Sequence, residues 1–219
     1  MEDRPKSLKD EAERAARKQM LNQRHVRPLT RFVEQIRREQ PSREVPYFDP
    51  LDGGIDAHCL YVLEAPGRMT NGENGSGFVS RNNNDETAKN FFEVNKSAGI
   101  PRRKTITWNI VPWYIGNDGR RRKPNSSEIS LGLEYLCRLI DKLPGLQVIV
   151  LMGKNAQRVE KQLRGKLPEI RVVRCFHPSP LFVNRKKGNK RIIVSALHQV
   201  REILGDTIRP GQNTASAMP

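Results

Sequence analysis

The chain has 219 residues, 39 of them Lys or Arg against 24 Asp or Glu, for a formal net charge of +15. That length supports one α/β domain with a substantial core, and the excess of cations implies a polyanionic partner, nucleic acid ahead of a membrane surface. The N-terminus is charged from Glu2 onward and no apolar run reaches the length of a membrane span. A soluble, intracellular, cytoplasmic protein is therefore expected, with no secretory leader and no membrane partner.

In chain order, residues 8–21 read as a charged helix. Residues 28–38 read as a second, whose Leu29, Phe32, Val33 and Ile36 form one apolar stripe. The Pro-, Asp- and Gly-rich stretch 40–54 reads as a long surface connection. Strand and helix then alternate. A buried strand is predicted at 59–63, a Gly- and Asn-rich loop at 65–83, and a helix at 84–97 capped by Asn83 or Asn84. A second strand follows at 105–111, then a helix begun by Ser126 or Ser127 and stopped near 143 by Pro144-Gly145. The continuously apolar strand 146–152 belongs in the middle of a sheet. A helix at 153–164, a strand at 170–176 and a helix at 192–204 complete the set, and 205–219 reads as a disordered tail.

This order predicts a single α/β domain: a central parallel sheet of about four strands with helices on both faces. Residues 1–54 form the N-terminal helices and connection, and residues 55–204 the domain itself. Ligands of such sheets sit beyond the carboxyl ends of the strands, and each unusual loop of the chain begins there. Two of the loops are strongly basic. Residues 101–127 carry +6 and residues 174–201 carry +7, the latter without a single Asp or Glu. Cys59, Cys137 and Cys175 are far apart and form no C-x-x-C pair, so no zinc or iron–sulfur site is expected.

Four stretches of these loops carry residues suited to chemistry. Glu64, at the first strand end and followed by Ala65-Pro66-Gly67, is placed either to position a water or as an ordinary solvated turn residue. Phe78, in Gly75-Ser76-Gly77-Phe78, offers a stacking face for a base or simply a core ring. Asn109 ends the second strand among apolar residues, where its amide either staples the loop or presents a donor and an acceptor to a base edge. Trp113 and Tyr114 follow, either lining a groove or packing beneath the loop. His177-Pro178-Ser179-Pro180-Leu181 is a turn stiffened by two prolines. It leads into Arg185, Lys186, Lys187, Lys190 and Arg191.

Taken in order, these stretches resemble the uracil-DNA glycosylase superfamily over roughly residues 58–204. Leu63-Glu64-Ala65-Pro66-Gly67 is similar to the G-E-x-P-G motif of its iron–sulfur branch, with Leu63 in place of the first glycine and without that branch's four cysteine ligands. The resemblance implies release of uracil from DNA by a monofunctional glycosylase of base excision repair, with base flipping and no cofactor. It places Glu64 and His177 in catalysis, with Asp85 or an amide among Asn82–Asn84 as substitutes for Glu64 in activating water. Ala65, Phe78 and Asn109 would hold the uracil. Ser179, Leu181 and the five cations after it would hold the DNA, Leu181 as a wedge in the duplex. The partner implied is uracil-containing DNA, the protein acting as a monomer without metal. A DNA- or abasic-site-binding module of the same fold with little hydrolysis is the alternative. A phosphate-ester hydrolase is disfavoured, because no phosphate-binding loop or metal-ligand cluster is present.

Overall fold

The computed structural model describes residues 3–70, 75–116 and 122–206. The predicted first helix is broken into three pieces. A 3-10 turn (Ser7–Lys9) precedes helix α1 (Glu11–Gln19), and another (Met20–Asn22) follows it. The break falls at Asp10, whose backbone is extended at φ −83° and ψ 129°. Helix α2 (Arg27–Glu39) starts with Pro28 in its first turn, where the missing N–H costs nothing. Its stripe of Leu29, Phe32, Val33 and Ile36 is buried, as the spacing predicts.

The connection at 40–54 is not the surface loop its composition predicts. Val45, Phe48, Asp49 and Asp52 are buried, and Tyr47–Phe48 forms strand β1. The Phe48 ring stacks on Trp108 with centroids 4.4 Å apart. The acids tolerate burial because arginines meet them there: Arg17 Nη1 lies 2.6 Å from Asp49, and Arg102 bonds both Asp49 and Asp52.

Strand β2 (Cys59–Leu63) follows, then strand β3 (Phe78–Val79), which pairs in parallel with β1. Helix α3 (Glu86–Ala98) is capped by Asp85, whose Oδ1 accepts from the Ala88 N–H at 2.9 Å. Asn83 does not cap it, because its Oδ1 accepts from the Ser76 hydroxyl at 2.7 Å instead. Strand β4 (Thr105–Asn109) is followed by helix α4 (Ser126–Ile140). Asn125, not a serine, caps α4 in a reciprocal box with Glu128. After strand β5 (Val148–Met152) come a 3-10 turn and helix α5 (Glu160–Lys166). Strand β6 (Arg171–Cys175), the one-turn helix α6 (Pro180–Val183) and helix α7 (Asn189–Asp206) complete the order. The predicted tail lies, past Asp206, outside the described residues.

The main sheet runs β4-β2-β5-β6 and every pairing is parallel. Alternate side chains go to opposite faces. Leu60, Val62, Ile106, Trp108, Ile149 and Leu151 pack against α2, α4 and α5, while Cys59, Tyr61, Val148 and Val150 pack against α3 and α7. The central strands are thus covered on both sides, and their carboxyl ends all open at one edge.

Candidate active site

Pairing between β2 and β4 continues past the strand ends. Ile110 N donates to the Leu63 carbonyl at 2.8 Å and Val111 N to the Glu64 carbonyl at 3.0 Å. Glu64 and Asn109 are therefore fixed side by side, Leu63 being the register partner of Asn109. On the neighbouring strands, Gly153 N donates to the Cys175 carbonyl at 2.8 Å, which sets the loop after β5 against the end of β6. Gly153 has a positive φ of 92°, and a side-chain carbon built on it would stand 3.0 Å from the Cβ of His177. Only glycine suits both the backbone and the histidine beside it.

Between these strand ends and α3 lies a cavity of about 320 Å³, within the range of small-ligand sites. Ala65, Asn109 and His177 line it, with Asp85, Thr107 and Tyr114. Asn109 is only 4% exposed, and its amide makes no side-chain hydrogen bond among the described residues. A buried amide on a cavity wall with its bonds unmade is unusual in a folded chain, and it leaves a donor and an acceptor available there.

Glu64 stands apart from the cavity lining. Its neighbours Leu63 and Ala65 face the cavity, while its Oε2 accepts from Asn155 Nδ2 at 2.7 Å on the adjacent loop. Asp85 does line the cavity, with one oxygen committed to the helix cap. Asn82 lies away from it, bonded to Arg4, Arg17 and Arg102. The amide of Asn83 is fully engaged by Ser76, Thr70 and Phe78, which leaves it to brace the wall.

Phe78 requires a correction. Its ring is completely buried, 6.4 Å from that of Tyr47, and faces a separate hollow toward α1 rather than this cavity. The cause is the β1–β3 pair, invisible in a connection read as solvated, which gives Phe78 a core partner. The aromatic rings on the cavity are Tyr114 and Phe91. Trp113 instead packs beneath the loop, edge-on to Tyr135.

The His-Pro loop is held from behind. Asn90 Nδ2 donates to the Pro178 carbonyl at 3.0 Å and Asn189 Nδ2 to the Phe182 carbonyl at 2.6 Å. Ser179 precedes α6, its carbonyl accepting from the Phe182 and Val183 N–H groups. Leu181 is 88% exposed, an extreme value for a leucine. Beside it Phe176 and Phe182 stack face to face, with centroids 4.3 Å apart and planes 6° from parallel. Arg185, Lys186, Lys187 and Arg191 are exposed and make no ion pair among the described residues, whereas Lys190 pairs with Glu93 at 2.5 Å.

The other basic segment is only partly a free cationic surface: Arg103 and Lys123 are exposed without an ion pair among the described residues, but others are engaged. Arg102 is buried among Asp3, Asp49 and Asp52, and these carboxylates raise its pKa above the ordinary value although burial alone would lower it. Arg122 pairs with Glu128. Arg120 and Arg121 lie outside the described residues. Counting charge within the segment could not see these partners, because Asp3, Asp49 and Asp52 lie far from Arg102 in the chain and Glu128 lies just past the segment's end.

Four parallel strands with a cavity beyond their carboxyl ends define an α/β protein of the kind that binds ligands at the strand ends. The pattern of the Uracil DNA glycosylase superfamily matches residues 52–201, well over half of the chain, and the chain belongs to that superfamily. The family-level activity is accordingly that of a glycosylase of the uracil-DNA type. No curated protein matches the chain. Among solved structures it is similar to wild-type Pedobacter heparinus SMUG2, at 13% identity and a TM-score of 0.49, covering 85% of this chain and 87% of that one. Among the described residues no helix is long and apolar enough to cross a membrane, and no group of three or more His, Cys, Asp or Glu could hold a metal ion.

Proposed function

We propose that the protein hydrolyses the N-glycosidic bond of deoxyuridine in DNA, releasing uracil and leaving an abasic site. The observation that carries this reading is Asn109, a buried amide without a side-chain partner among the described residues, on the wall of a cavity shared with His177. The free cations of residues 185–191 hold the phosphates. The nucleotide turns out of the stack into the cavity, and Leu181 fills the gap it leaves. Tyr114 and Phe91 supply the apolar walls. Asn109 pairs with the uracil edge and rejects cytosine, whose donor and acceptor order is reversed.

As the bond breaks, electrons move onto the departing base, and His177 donates a hydrogen bond to the oxygen where the charge gathers. Water adds to the sugar carbon on the face away from the base, its hydroxyl staying on the sugar and its proton leaving to the base or solvent. Glu64 suits that task because it lies beside the base cavity and not inside it, steered by Asn155. Asp85 faces the base itself. Only water is consumed, so the proposal assigns no cofactor.

The test is cleavage of a labelled oligonucleotide with one uracil, incubated in EDTA and then heated in alkali. The native protein should cleave at the uracil. His177→Ala and Glu64→Gln should each lose about 10²–10⁴-fold in rate. Asp85→Asn, which keeps the helix cap, should lose less than Glu64→Gln; the reverse order would move the water to Asp85. Intact binding without cleavage of single-stranded, U:A or U:G substrates would sink the enzyme reading and leave a binding module.

A further inference from the structure

Three large apolar side chains stand exposed among the described residues: Phe176 at 48%, Leu181 at 88% and Ile192 at 48%. All three fall on the acid-free basic segment. Exposed apolar residues scattered singly are ordinary, but a group confined to one short segment marks a surface that meets a partner. Leu181 has its place as the wedge; Phe176 has none so far. The two rings of its stack are placed differently. Phe182 packs against the core between the sheet, α3 and α7, whereas Phe176 stands outside both cores, and among the described residues its one ring contact is Phe182. One face of Phe176 is covered at a centroid distance of 4.3 Å while nearly half of the residue is open, so the other face is turned to solvent.

A ring held parallel to a second ring, with its outer face bare, is a platform for a third flat group. Further along the same loop Arg185, Lys186, Lys187 and Arg191 are exposed without an ion pair among the described residues. A flat apolar face followed by unpaired cations suits a nucleotide, whose base is flat and whose phosphate is anionic. We propose that the outer face of Phe176 stacks on a base of single-stranded DNA, the neighbour of the uracil in the same strand. This rests on the glycosylase reading, which puts the uracil in the cavity. His177 lines that cavity, and Phe176 precedes it with its Cα about 3.8 Å away, so the nucleotide within reach of the ring is one adjoining the uracil. When uracil turns out of a single strand, its neighbour loses a stacking partner and has no opposite base to hold it. The ring takes the partner's place. In a duplex the neighbour stays paired and Leu181 fills the gap, so the ring adds less.

The experiment is a fluorescence-anisotropy titration of the full chain with labelled oligonucleotides, single-stranded and duplex, each carrying one 2′-fluorodeoxyuridine. The fluorine opposes positive charge on the sugar and so preserves the bond during the measurement. Phe176→Ala and Phe176→Leu should bind the single strand about 5- to 100-fold more weakly than the native protein and the duplex with a smaller loss. Phe176→Trp, which keeps a stacking face, should stay near native on both. Replacing both neighbours of the uracil by abasic tetrahydrofuran residues should weaken single-strand binding by the native protein and change little for Phe176→Ala. Native single-strand affinity in Phe176→Ala overturns the inference alone and leaves the ring to a protein partner. Equal losses on single strand and duplex overturn it too, since the ring would then only support the loop, as does native affinity in Phe176→Leu, which would need no aromatic face. A native protein that neither binds uracil-containing DNA nor releases uracil from it overturns the glycosylase reading and this inference with it.

Discussion

Gly153 shows how one residue governs the geometry of another. Its φ of 92° is closed to most side chains, and an added Cβ would press on His177 at 3.0 Å. Gly153→Ala therefore carries a backbone penalty of about 1–3 kcal/mol and also displaces the histidine. The expected outcome is a loss of activity of about tenfold or more, since small displacements at a reacting centre are costly. Chemical denaturation and uracil release measured side by side check it; a destabilised variant with native activity would show that His177 does not depend on this contact. At this scale the sequence was partly readable. Asn109 could be picked out as an amide among apolar residues at a strand end, His177 by the prolines and cations that follow it, and Ala65 only through the resemblance; all three line the cavity. Asn155 could not, since its bond to Glu64 spans 91 residues of chain.

The loop from Phe176 to Arg191 works as a unit, a one-turn helix clamped at both ends by Asn90 and Asn189. On the proposed reading clamping matters, because a wedge that folded back on itself would lose its force. Leu181 has no such freedom, and the Phe176–Phe182 stack beside it offers a flat apolar face. On the proposed reading, Leu181→Ala should slow uracil release from duplex DNA several-fold more than from single strands, where no stack has to be opened. Equal effects on both substrates would argue against a wedge. On the same reading Arg185, Lys186, Lys187 and Arg191, exposed and without an ion pair among the described residues, meet the phosphates. Neutralising any one of them should reduce the slope of log affinity against log salt by about one, while Arg102→Gln should change stability and leave that slope alone. Salt titrations of binding to uracil-free DNA separate the two cases. The proline pair and charge run made this element legible in the sequence; the aromatic stack was not, because Phe176 and Phe182 lie on either side of the turn that joins them.

Across the whole molecule, the N-terminal segment outside the matched residues is tied to the cavity by buried charge. Arg17 of α1 and Asp49 are both inaccessible to solvent, and Asp49 also accepts from Ser80, a residue of the cavity wall. Helix α1 thus braces the site from a distance that no local pattern reveals. Asp49 is where this can be measured. Burial alone would raise its pKa, but the charges of Arg102 and Arg17 prevail and hold it at about 2. A carboxylate depressed in the fold and near 3.9 in the unfolded chain contributes stability that is complete above about pH 4 and lost as pH falls toward 2. Asp52, with its pKa raised by burial, acts in the opposite sense and blunts the change. Denaturant midpoints between pH 5 and pH 2 should therefore fall as acid is added. Arg17→Met at neutral pH leaves Asp49 short of a partner in the interior and should cost about 3–5 kcal/mol. The Arg17→Met, Asp49→Asn pair should cost less than Arg17→Met alone, because removing both charges spares the uncompensated one, and its midpoint should change less with acid. If the double variant is as unstable as the sum of the single ones, the two residues act separately and α1 braces the cavity by packing alone.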